Sequence, residues 1–119
     1  SRGLGDVYKR QLMSYIGPKV HIDLHQLKKN YQLVKSEVGE IPIMATVKAN
    51  AYGHGAIKIS KALEGEGVRY LAVFTIDEGI ELRDAGIKTD IFIYAKFDPT
   101  RIEDATKHNL TLNISSFNL

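Results

Sequence analysis

Four short apolar runs begin near residues 43, 70, 91 and 111, which spaces them 27, 21 and 20 residues apart. They read "IPIMATVK", "RYLAVF", "DIFIYA" and "LTLNI", and the segments between them carry helical spacing. This alternation constrains the fold more than any other feature. Neighbouring parallel strands need a crossover of a dozen or more residues, usually a right-handed helix. The runs are almost continuous in apolar residues, as expected of parallel strands covered on both faces. The class is therefore α/β.

The connecting segments carry their own punctuation. A strand-like "KVHID" starts at Lys19, and Asp23 stands where a helix N-cap would. Leu24, Leu27, Tyr31, Val34 and Val38 follow at steps of three and four, and Gly39 is a natural stop. A second helix is expected from His54 to Glu64, with Ile57, Ile59, Ala62 and Leu63 on its apolar side and Gly65 and Gly67 ending it. "TIDE", Thr75 to Glu78, has the form of a capping box for a helix running towards Gly86. Asp77, Glu78, Glu81 and Asp84 read as its solvated face, with Arg83 among them. Asp98 and Pro99 suit the first turn of another helix, and Ser115 or Ser116 can cap a further one.

Two architectures accommodate four regular βα units: a doubly wound open sheet and an eight-stranded barrel. The open sheet of a dinucleotide-binding protein wants G-x-G-x-x-G after its first strand. Here there is only G-H-G at 53–55. A barrel needs about 250 residues, so the 119 residues fit the N-terminal part, about half, of a (β/α)8 TIM barrel. Residues 23–119 are assigned to that half, with truncation expected because "SSFNL" carries no stop signal. Residues 1–12, "SRGLGDVYKRQL", have no period and read as a non-native leader before Met13.

Charge and composition exclude several classes. Sixteen basic and 14 acidic side chains leave a net charge of +2, without the clustered basic face that nucleic acid or an anionic membrane surface requires. There are no cysteines, so disulfide scaffolds and thiolate metal sites are ruled out. His21 and His25 straddle Asp23, but the expected helix starts between them, and they make a poor metal pair. No metal site is expected. No apolar run approaches the roughly 18 residues of a membrane span.

The candidate site lies in "IMATVKANAYGHGA", residues 43 to 56. Side chains alternate along a strand, so Met44, Thr46 and Lys48 share one face and Ile43, Ala45 and Val47 the other. Lys48 stands at the carboxyl end of the strand, where barrel enzymes build their sites. Partial desolvation there lowers an ammonium pKa, and a neutral amine attacks a carbonyl to form a Schiff base. A lysine at a strand end can equally snorkel to water. The next seven residues bear on that choice. Ala49 and Ala51 are small, Gly53 and Gly55 allow backbone angles closed to other residues, and Tyr52 offers a hydroxyl to an anionic group.

"VKANAYGHG", residues 47 to 55, resembles the cofactor-lysine motif of alanine racemase. "IDLHQLKKNY" resembles that family's opening helix, and "FTIDEGIELRDAGIKTDIFI" its second βα unit and third strand. The resemblance spans about residues 18 to 119. It implies pyridoxal 5'-phosphate as cofactor, Lys48 as its Schiff-base lysine and one of two catalytic bases, and Tyr52 as a ligand of the cofactor phosphate. His54 is implied to be structural; the Asn50 amide, read from its place after the strand, is a candidate to hold the loop or reach a site group. The third strand departs from the family pattern, with Tyr94 where an aliphatic residue is usual.

The implied enzyme is a cytoplasmic homodimer that interconverts L- and D-alanine for cell-wall synthesis. Its β-rich C-terminal domain, missing from this fragment, associates with an N-terminal strand segment at residues 13–22. Its second base is a tyrosine of the partner's C-terminal domain, and none of the six tyrosines here matches that motif. The fragment alone is therefore expected to be inactive. The alternatives are another or broad-specificity amino-acid racemase, or a non-catalytic protein that carries the cofactor.

Overall fold

The computed structural model describes residues 23–47, 53–96 and 98–114, with side chains from Gly55 onward in the second stretch. The expectations for residues 1–12 and 13–22, for Lys48, Asn50 and Tyr52, for the His54 side chain and for Ser115 and Ser116 lie outside the described residues.

Helix α1 runs Leu24–Val38, and the Asp23 side chain accepts from Gln26 N at 3.0 Å as its N-cap. Its apolar stripe buries Leu27 and Tyr31. Gly39 ends it with φ 63°, its N–H donating to Lys35 O. Strand β1, Met44–Thr46, follows. Helix α2 spans Gly53–Gly65 and buries Ala56, Ile59, Ala62 and Leu63. Strand β2 is Tyr70–Val73. Helix α3 is Ile76–Asp84, opened by the expected capping box: Glu78 N donates to Thr75 Oγ1 at 3.1 Å, and Thr75 N to Glu78 Oε1 at 2.7 Å. Strand β3 is Asp90–Ile93. A 3-10 turn at Pro99–Arg101, capped by Asp98, leads into helix α4, Ile102–Lys107.

The three strands are parallel in the order β1-β2-β3. Their register sets Ala45, Leu71 and Ile91 in one row and Thr46, Ala72 and Phe92 in the next. Leu71, Val73, Ile91 and Ile93 are at most 1% exposed and share one cluster with Val47, Ile59, Leu63, Leu82 and Ile87. That face lies under the helices. The other carries Met44, Phe74 and Tyr94, all exposed. Among the described residues, helices on one side only, with strands in sequential order, make a segment of barrel wall and not a doubly wound sheet, whose helices cover both faces.

The fourth expected strand is much reduced. It survives as a single bridge, Phe92 to Thr111, with Thr111 N donating to Ile91 O and Ile93 N to Thr111 O, both at 2.8 Å. The ladder stops for a local reason. The next rung would use Ala95 N, which donates instead to Phe74 O at 2.7 Å, while the Asn113 side chain reaches Tyr94 O at 3.2 Å.

At the amino ends of the strands, two charged side chains lace the layers together. Glu64 Oε2 accepts from Lys88 N, Thr89 N and Thr89 Oγ1 at 2.7–2.9 Å. Arg83 donates to the carbonyls of Ile87, Thr89, His108 and Asn109 at 2.7–3.0 Å. The expected solvated face of α3 holds for Asp77, Glu81 and Asp84, which are exposed, Asp77 in an ion pair with Arg101, and is corrected for the other two: Arg83 is a staple and Glu78 a cap. α3 sits close to the sheet at Gly79, where a Cβ would lie 2.9 Å from Ile93 Cδ1 and 3.0 Å from Leu110 Cδ2.

Candidate active site

The carboxyl ends of the strands supply the geometry of the site. Along β1, Met44 and Thr46 are exposed and Ala45 half-buried, and Val47 is 3% exposed in the cluster beneath the helices. Val47 N donates to Ala72 O at 2.8 Å, so the pairing with β2 continues past Thr46. Lys48 and Tyr52, the two residues singled out from the sequence, come directly after this point and lie outside the described residues.

The structure describes the ends of the two neighbouring strands. Phe74 follows β2 at 65% exposure, and Tyr94 follows β3 at 44%. Tyr94 N donates to Val73 O at 2.9 Å, and with the Ala95–Phe74 bond this holds the two strand ends side by side. Phe92 packs edge-to-face on Tyr94, with ring centroids 5.3 Å apart at 90°. The inner face at this end is therefore aromatic.

The loops above are held by charge and by caps. A cavity of about 250 Å³ opens between the β2–α3 and β3–α4 connections, lined by Thr75, Asp77, Ala95, Asp98, Arg101 and Leu112 among others. The Arg101 guanidinium stands 2.7 Å from both Asp77 Oδ1 and Asp104 Oδ2. Its hydrogen bond and charge hold the Asp77 carboxyl below the usual range, and the two carboxylates push Arg101 higher still. Asp98 is lowered by the Thr100 hydroxyl and backbone N–H. Sequence reasoning missed Arg101. The only signal for it is its place in the first turn after the Asp98 cap. His108 ends α4, with Nδ1 2.8 Å from Asp104 O, a helix-end role in keeping with its position.

Among the described residues no group of three or more His, Asp or Glu side chains could hold a metal ion. Nor is any helix among them long and apolar enough to cross a membrane.

Residues 22–119 match the family model described as "Alanine racemase, N-terminal domain". The chain belongs to the alanine racemase family. "Alanine racemase 1" of Caldanaerobacter subterraneus subsp. tengcongensis is 42% identical over 97 residues, covering 81% of this chain and 25% of that protein. The "Amino-acid racemase" of Enterococcus faecalis is 40% identical over 99 residues, covering 82% of this chain and 14% of the enterococcal protein. Among solved structures, the alanine racemase of Bartonella henselae "with covalently bound pyridoxal phosphate" superposes with a TM-score of 0.65 at 29% identity, over 76% of this chain and 25% of that one. The chain thus spans about a quarter of the alanine racemases it matches. These likenesses agree with the one-sided parallel sheet: it is part of the alanine racemase barrel.

Proposed function

We propose that this chain is part of a pyridoxal 5'-phosphate-dependent alanine racemase that interconverts L- and D-alanine and supplies D-alanine for the bacterial cell wall. In this reading residues 1–12 are foreign, 13–22 associate with a second, β-rich domain, and 23–119 form the first half of the barrel. The complete enzyme is a cytoplasmic homodimer. One observation carries the site. β1 ends at Thr46, and the pairing of Val47 N with Ala72 O carries the chain to the carboxyl end of the parallel sheet, the end where barrel chemistry is done.

Lys48 is then the residue that holds the cofactor through its amine, and Tyr52 donates its hydroxyl to the phosphate. The residues present suit that group: the inner face offers Phe74 and Tyr94 to a flat ring. When bound, the cofactor supplies an electron-accepting ring that makes the α-proton of an amino acid removable. Lys48, once released, takes or returns that proton on one face. The opposite base is a tyrosine of the partner's C-terminal domain, so the 119-residue chain by itself does not racemise.

The test is chemical trapping. Pyridoxal phosphate is added, borohydride fixes it, and peptide mapping finds the label. Attachment at Lys48, lost in Lys48→Ala, is expected; a label on any other lysine overturns the site. Turnover of alanine by the 119-residue chain, abolished in Lys48→Ala, would refute its inactivity.

A second reading is a broader amino-acid racemase, favoured by the similarity to the enterococcal amino-acid racemase. Profiling the complete enzyme against alanine, serine and larger amino acids separates the two.

A further inference from the structure

We draw no further inference here: the strongest candidate, the apolar cavity of about 320 Å³ between α1 and β1, with the Asn30 amide nitrogen in its wall unpaired among the described residues, lies in a chain that spans about a quarter of the alanine racemases it matches, and nothing in the structure shows what covers it.

Discussion

Arg83 Nη2 donates to the backbone carbonyl of Asn109 at 3.0 Å, across 26 residues of sequence. Through this bond and three more carbonyls, one guanidinium ties the end of α3 to the segments leading into β3 and into Thr111. A lysine cannot reproduce that fork. Arg83→Ala is expected to cost about 2–4 kcal/mol, since several carbonyls lose a charged donor. Arg83→Lys should recover less than half of the loss. The urea midpoints of both variants test this.

Glu64 makes the parallel bridge from α2 to Lys88 and Thr89. Burial raises its carboxyl pKa, but the backbone N–H groups of Lys88 and Thr89, the Thr89 hydroxyl and the Arg83 charge outweigh it, and the net direction is down. A depressed folded-state pKa means that the carboxylate contributes fully above its unfolded value, about 4.3. The contribution is lost as pH falls through the lower folded value. Stability should therefore be level near neutrality and fall below about pH 5, and Glu64→Gln should flatten part of that acid limb. A pH series of urea melts reads it out; an unchanged acid limb in Glu64→Gln would contradict the assignment.

Gly79 lies inside a helix, where glycine is itself unfavourable by about 0.5–1 kcal/mol. The gain from Gly79→Ala is opposed by the Ile93 and Leu110 methyl groups, 2.9 and 3.0 Å from the new Cβ. Ile93 is 1% exposed and has little room to move. Net destabilisation of about 1 kcal/mol is expected for Gly79→Ala, rising towards about 3 kcal/mol for Gly79→Val by overpacking. Thermal melts of the pair should fall in that order.

Tyr52→Phe removes the hydroxyl assigned to the cofactor phosphate. A hydrogen bond to a charged group is worth about 1.5–3 kcal/mol, so cofactor affinity should weaken roughly 10- to 100-fold, with attachment at Lys48 retained. Titration by absorbance measures the shift.

Much of the frame was legible because its signals are local. The Asp23 cap, the Thr75–Glu78 capping box and the helical stripe from Leu24 to Val38 each depend on neighbours within a turn or so, and spacing reveals them. Arg83 and Glu64 were misread or passed over because their partners lie 24 to 26 residues on for their longest bonds, and a charge on a helix carries no mark of a distant carbonyl. The fourth strand was overestimated for a related reason. "LTLNI" has strand composition, but whether a rung forms depends on where Ala95 N is already committed. At the site, the motif names Lys48 and Tyr52, and the described structure contributes the ends of the neighbouring strands.

The two ends of the sheet are fastened in different ways. Above the carboxyl ends, Thr75 is closed by Glu78 three residues on and Asp98 by Thr100 two residues on, and between the two turns runs the ion pair of Arg101 with the exposed Asp77. At the opposite end, Glu64 and Arg83 stitch separate units together. A mutation in an upper turn can thus reshape that rim while the foundation stays tight, which gives descendants of such a scaffold freedom to vary there without first having to rebuild their architecture.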